Sequence, residues 1–340
     1  MTVTSAVPAS EAPGRLPQPA RYFPLSGPRY EVKVGLHRLG TDFGNGAADA
    51  RVFQLDRDWP AYRRAKLQAR AERLDKYVCR DPRLGARAVQ HLTEYLLIRL
   101  PREHPAQFRR EPRPGGGYVL HCALSGERLV FDRYLDLAAV EGPDSRTPGY
   151  GDGLDALACQ IQEDLAVGET APESGERLTY LHLCCPNYWA AEAKIGGSFL
   201  SVHRPVPHFD RIGRQAGALI ETLSRRGPFV RFTWGITTDP RLNHHPQPPA
   251  GADPAQWNGR RFDPQQPRLY LRVERQVNIP LSKAGAFAFT IRTYLREIEE
   301  LGSDRIATLA GAIASMTADS LHYKGLASQR QAILAWLQTL

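Results

Sequence analysis

Three apolar segments in the C-terminal half alternate in a way that could gather positive charge. In residues 229–236, Val230, Phe232, Trp234 and Ile236 alternate with Arg231 and Thr233. In 269–277, Leu269, Leu271, Val273 and Val277 lie opposite Tyr270, Arg272, Glu274 and Gln276. In 286–295, Phe287, Phe289 and Ile291 lie opposite Ala288, Thr290, Arg292 and Tyr294. Side chains of a strand alternate between faces, so three neighbouring strands would each present one arginine on a common face, beside hydroxyls and a carboxylate. Convergent guanidinium groups hold carboxylates in fork geometry, with Glu274 able to orient them. A sheet with one wet face gives the same alternation, and spacing alone does not choose between the two readings.

The second candidate is an imidazole. In Val202-His203-Arg204-Pro205-Val206-Pro207, two prolines stiffen the backbone just after the histidine and remove two amide donors. The segment predicts a preset ring on a non-helical loop, suited to metal ligation or proton transfer; a surface histidine in a Pro-rich loop is the bland alternative. His182, inside the apolar run Leu178 to Cys184, reads as a buried histidine with a hydrogen-bond partner or a second-choice metal ligand. His208, His244 and His245 read as surface residues.

The elements that must position these groups follow from periodicity. Residues 1–27, rich in Pro, Ala and Ser, predict a flexible leader, and 28–340 a single domain. Residues 59–100 carry two helical patterns, the second stopped by Pro101. Tyr118 to Cys122 and Arg128 to Phe131 predict a hairpin across Ser125-Gly126-Glu127. A Gly/Pro/Asp-rich loop at 141–153 precedes a possible helix from Leu154 to Leu165, and Leu178 to Cys184 is the next strand. Asp210 is placed to cap a helix carrying Ile212, Ala216, Ile220 and Leu223 and closed by Gly227-Pro228. A long loop from Asp239 to Pro267 separates the first two of the three strands, and two helices finish the chain. Strands bracketed by helices with irregular connections predict an α+β fold on an antiparallel sheet.

Composition removes many other chemistries. The chain has 340 residues and a net charge of +8, but all except six of its 44 Lys+Arg residues are arginine, scattered among acidic neighbours. A polyanion-binding face is therefore not expected, and no nucleic-acid partner is assigned. No apolar run approaches the ~20 residues needed to cross a bilayer, and no signal-peptide pattern opens the chain, so a cytoplasmic protein without membrane attachment is expected. Cys79, Cys122, Cys159, Cys184 and Cys185 form neither a disulfide framework nor a CxxC or CxxCH motif. GxGxxG, Walker A, GxSxG and HExxH are absent as well.

The string Leu271-Arg272-Val273-Glu274-Arg275-Gln276, followed by Phe289-Thr290-Ile291-Arg292-Thr293-Tyr294, resembles the signature of the haem-dependent oxidative N-demethylase α-subunit-like family. Agreement continues through Tyr95-Leu96-Leu97, Gln162-Glu163-Asp164-Leu165, Cys185-Pro186 with Trp189, Lys194-Ile195-Gly196, His203 with Pro205-Val206-Pro207, and Arg231 with Trp234. The resemblance spans roughly residues 22 to 300. It implies a PAS-like antiparallel sheet with flanking helices and extra N- and C-terminal helices. It also implies non-covalent b-type haem and O2-dependent oxidation of an alkyl amine, by N-oxygenation of a primary amine such as an amino-acid side chain or by oxidative N-dealkylation releasing aldehyde.

On that resemblance His203 is the axial iron ligand. Arg231, Arg272, Arg275 and Arg292, with Trp234 and Tyr294, are cofactor-binding candidates; Glu274, Glu163 and Asp164 are the carboxylates for substrate ammonium or proton relay. Within 271–276, alternation sets Arg275 on the face opposite Arg272. With no flavin, nicotinamide or iron–sulfur motif in the sequence, the electron donor is expected to be a separate reductase, and a homo-oligomer is compatible. The alternatives are a PAS-like haem sensor without turnover, the α-subunit of a multi-subunit N-demethylase, or a non-haem module binding a small anion. Departures from the family pattern at Asn278-Ile279-Pro280-Leu281, Thr233 and Asn187-Tyr188 bear on substrate identity.

Overall fold

The computed structural model describes residues 15–142, 148–171, 175–207, 209 and 213–340. Asp210 and Ile212, expected in a helix, and His208, expected at the surface, lie outside these residues. The strands in chain order are β1 His37–Arg38, β2 Val78–Arg80, β3 Phe108–Pro112, β4 Tyr118–Cys122, β5 Glu127–Phe131, β6 Leu137–Glu141, β7 Asp164–Ala171, β8 Gly175–His182, β9 Phe229–Thr237, β10 Tyr270–Leu281 and β11 Ala286–Glu297. They form a seven-stranded sheet, order β1-β9-β10-β11-β7-β8-β2, and a four-stranded sheet, order β3-β4-β5-β6. Pairing is antiparallel throughout both. The protein is thus a mixed α/β structure on antiparallel sheets, with the expected hairpin at β4 and β5.

Register decides which arginines share a face. Gln276 stands between Arg231 and Ile291, Glu274 between Thr233 and Thr293, and Arg272 between Gly235 and Leu295. Arg275 stands between Phe232 and Arg292. One face therefore carries Arg231, Thr233, Arg272, Glu274, Gln276, Phe289 and Ile291. The other carries Trp234, Leu271, Val273, Arg275, Thr290, Arg292 and Tyr294. The expected trio of Arg231, Arg272 and Arg292 is corrected: Arg292 lies on the opposite face, paired with Arg275. Alternation sets the phase within one strand, whereas the phase between strands depends on register, and a shift of one residue reverses it.

The two faces are covered differently. Leu92, Leu96 and Leu100 of the helix Ala86–Glu103 share one core with Val230, Val277, Ile279 and Ala288 of the Arg292 face and with Leu120, Leu129 and Phe131 of the small sheet. Ile306, Leu309, Ile313 and Ile333 close the rest of that face against Leu271, Val273 and Tyr294. On the Arg231 face, Ile220 and Leu223 of the helix Ala216–Arg225 pack on Phe287, and Leu183 and Ala191 pack with Leu181 and Ile291. Between these two covers Arg231, Thr233 and Gly235 of β9, whose outer edge is unpaired beyond Val230 among the described strands, and Gln276 of β10 stay half-buried.

Other expectations need correction. The helix after residue 152 spans only Gly153–Ala158, and β7 begins at Asp164. Residues 160–163 are buried because their polar groups bind a neighbouring segment: Glu163 accepts from the Gln54 amide and Gln162 from the Asp56 amide. The second N-terminal helix continues past Pro101 to Glu103. Three helices, Ser303–Ala314, Ala318–Tyr323 and Arg330–Leu337, replace the two expected after β11. Residues 15–27 of the expected leader lie against the core, where the buried Tyr22 hydroxyl donates to Asp49 at 2.9 Å. His244 and His245, expected at the surface, are buried.

Candidate functional site

His203 is the last residue of a short helix, Phe199–His203, and not part of a non-helical loop. Ser198 caps that helix by accepting from the Ser201 amide. Gly197 lets it dock, since a Cβ there would fall 2.9 Å from Ser201 Oγ and 3.0 Å from the Lys194 carbonyl. Lys194 Nζ donates to the Val202 carbonyl at 2.7 Å, anchoring the last turn. His203 Nδ1 lies 2.8 Å from the Phe199 carbonyl, an obligate acceptor, so the proton resides on Nδ1 and the lone pair on Nε2. Phe199 and Phe209 flank the ring at 4.3 and 5.4 Å. Burial pushes the His203 pKa down to about 4, and the Arg231 and Lys194 cations act in the same direction. A neutral imidazole with its tautomer fixed by a carbonyl and a free Nε2 is the form that ligates a metal.

Arg231 lies within the field of His203, on the half-covered face. Its Nε is buried without a hydrogen-bond partner among the described residues, and burial lowers its pKa against the pull of Glu274. Glu274 is 5% exposed, and its Oε2 accepts from Thr233 Oγ1 and Gln276 Nε2, both at 3.2 Å. Sequence reasoning missed three neighbours. Tyr323 and Lys324 come from the C-terminal helices, where Lys324 Nζ donates to the Trp234 carbonyl at 2.5 Å beside β9. Burial pushes Lys324 down to about 8 and raises Tyr323, and both feel Glu274. Arg260, from the 239–267 segment, lies 3.3 Å above the Tyr188 ring. No spacing rule links residues 260 and 323 to strands 231 and 274; only tertiary folding does. A cavity of about 520 Å³ lies between the turn Arg204–Pro207 and Tyr323.

The remaining sequence candidates are committed elsewhere. Arg272 donates to the Cys185, Pro186 and Leu242 carbonyls and approaches Glu274 at 3.8 Å. Arg275 donates to the Arg51 and Val52 carbonyls. Arg292 pairs with Asp56 at 2.6 Å and stacks on Tyr62 and Tyr294 at 3.9 and 4.6 Å. Tyr294 donates to Gln54, and Trp234 meets Tyr30 edge-on, both on the face away from His203. Asp164 accepts the Cys184 and Cys185 amides at 3.0 and 2.7 Å. Glu163 accepts the Gln54 amide at 2.7 Å; burial raises its pKa, although Arg292 opposes the shift. Of the ten sequence candidates, the structure brings His203, Arg231 and Glu274 together, with Arg272 behind Glu274.

His182 is buried, with Nε2 3.1 Å from Asp155. Burial disfavours its charge, but Cys184 and Asp155 outweigh that and raise its pKa. Asp155, Cys159 and His182, and Asp164, His182 and Cys184, form two sets with ligand atoms within 4.8 Å of one another. Their carboxylates already have cations: Arg70 grips Asp155 through two 2.8 Å bonds, and Lys66 stands 3.8 Å from Asp164. The cluster is a closed ion network joining the helix Trp59–Glu72 to β7 and β8.

A family model described as haem-dependent oxidative N-demethylase, alpha subunit-like, matches residues 45–334. The chain belongs to this family. The match extends some 34 residues past the roughly 300 where the sequence resemblance stopped and so takes in Tyr323 and Lys324. The family description indicates haem dependence and an oxidative role, and this chain's residues fit such a group. His203 offers a neutral Nε2 lone pair, Arg231 a half-buried cation without a hydrogen-bonded acceptor among the described residues, and Phe199, Phe209, Phe289 and Ile291 apolar walls. No helix among the described residues is long and apolar enough to cross a membrane.

Proposed function

We propose that this protein binds haem b on the half-covered face of the seven-stranded sheet and oxidises a small alkyl amine with O2. In this reading the sheet and its covering helices form a single PAS-like domain over 28–340, and a separate reductase supplies electrons. The observation that carries the reading is the pairing of His203, whose Nδ1 is tied to a carbonyl, with Arg231, a half-buried cation with no hydrogen-bonded acceptor among the described residues. His203 would hold the haem iron through Nε2, and Arg231 would hold a haem carboxylate. When bound, the haem supplies O2-dependent oxidation of the amine.

The chain's own residues prepare that chemistry. Amines are mostly ammonium at neutral pH, and only the neutral form is readily oxidised. Glu274, fixed by Thr233 and Gln276 through one oxygen, holds the ammonium and takes its proton on the other. Arg272, tied to three main-chain carbonyls, sets the position of Glu274 from behind. The apolar walls keep water from the reacting atoms. The family description as an alpha subunit supports a partner protein in the reaction.

The test is O2 uptake by haem-reconstituted protein with a chemical reductant across primary, secondary and tertiary alkyl amines. Amine-dependent uptake yielding aldehyde or hydroxylamine, reduced about 100-fold in Glu274→Gln at unchanged haem content, is expected. Haem binding with no amine-dependent uptake would instead indicate a sensor.

A further inference from the structure

The site holds more positive charge than its own carboxylate accounts for. Arg231 and Lys324 lie in the field of Glu274, Arg260 lies beside Tyr323 and Lys324, and all three are partly buried. Arg272, the fourth cation, is engaged by the Cys185, Pro186 and Leu242 carbonyls. Lys324 is held by the Trp234 carbonyl. Asp239, packed against Gly259 next to Arg260, is taken by Arg241 at 2.9 Å and His244 at 3.1 Å, and Asp263 is exposed and accepts the Gln265 amide. Arg260 Nε has no partner among the described residues, while its stem is fixed over Gly325, where a Cβ would lie 2.5 Å from Arg260 Cδ. The guanidinium is held on Tyr188 by stacking and a side-chain hydrogen bond and makes no ion pair with a carboxylate among the described residues, so it is an immobilised cation suited to a carboxylate ligand. Tyr323 lies in the fields of Glu274, Arg231 and Arg260 and also lines the cavity by Arg204–Pro207, so it stands where a small molecule would pass.

We propose that the substrate amine carries a carboxylate on the same molecule, held by Arg260 and the Tyr323 hydroxyl while Glu274 holds the ammonium. The substrate class is therefore an amino acid and not a simple alkyl amine. The proposal rests on the haem-site reading above, because that reading gives Arg231 to a propionate and leaves Arg260, the site cation not tied to a main-chain carbonyl among the described residues, for the substrate. The second propionate is the other source of the same carboxylate chemistry.

Calorimetry on the haem-loaded protein separates these. The probes are 4-aminobutyrate against propylamine, 6-aminohexanoate against pentylamine, and L-lysine against 1,5-diaminopentane. At least one acid is expected to bind about tenfold or more tightly than its carboxylate-free partner. Arg260→Ala should erase that ratio and leave the haem stoichiometry and Soret band unchanged, Arg260→Lys should keep part of it, and Tyr323→Phe should reduce it. Equal binding within every pair overturns the proposal. So does an Arg260→Ala protein that loses haem but keeps the ratio, which would assign Arg260 to the second propionate. A wild-type protein that takes up no haem overturns the underlying reading, and its missing Soret band distinguishes that result from the other two.

Discussion

Buried arginines in this protein do two kinds of work, and their partners tell them apart. Arg292 holds Asp56 in the core, so Arg292→Met leaves a buried carboxylate unpaired and should cost about 3–5 kcal/mol in urea unfolding. Arg231 makes no ion pair within 4 Å among the described residues and only feels Glu274 at longer range. Arg231→Met should leave the haem-free protein as stable as wild type or more so, while weakening haem binding measured by titration; a loss of stability as large as that of Arg292→Met would show that Arg231 is structural. Both residues are equally visible in the sequence as arginines inside alternating strands. What the sequence could not show is the acceptor each one meets, because Asp56, Arg51 and Cys185 are brought in from distant segments.

The elements that carry the site were legible to different depths. β9, β10 and β11 announce themselves by strict alternation, and the apolar stripe of Ala216–Arg225 by its helical period. β7 did not, because Gln162, Glu163 and Asp164 look like a solvated helix face yet are buried and bonded to residues 54, 56, 184 and 185. The helix Phe199–His203 was hidden by the prolines that follow it. Its placement depends on Gly197, and Gly197→Val, whose side chain would press on Ser201 and the Lys194 carbonyl, should displace His203. Haem affinity is expected to fall about tenfold or more with far-ultraviolet dichroism unchanged. Retention of full affinity would separate haem binding from this helix.

Across the whole molecule, acid stability is set by buried histidines before carboxylates. Burial pushes His104, bonded to the Phe53 carbonyl at 2.8 Å, down to about 4 from an ordinary value of 6.5, and His203 is likewise held near 4. Between these values the unfolded chain binds protons that the folded chain does not, so stability is full above pH 6.5 and falls as pH drops toward 4. His104 alone accounts for on the order of 3 kcal/mol. Asp155, held down to about 2 despite its burial by His182 and Arg70, contributes its loss only below the ordinary carboxylate range near 3.8. His104→Gln should flatten the dependence of Tm on pH between 6.5 and 4; an unchanged slope would place the acid sensitivity elsewhere.

We propose that His203 is the residue that holds haem on the Arg231 face. Haem titration of wild type, His203→Ala and His203→Gly, followed by absorption spectroscopy with and without added imidazole, tests it most directly. One haem per chain is predicted, with a ferric spectrum altered in both variants and restored by imidazole in His203→Gly. A wild-type spectrum in His203→Ala, or no haem uptake by the wild-type chain, would contradict it.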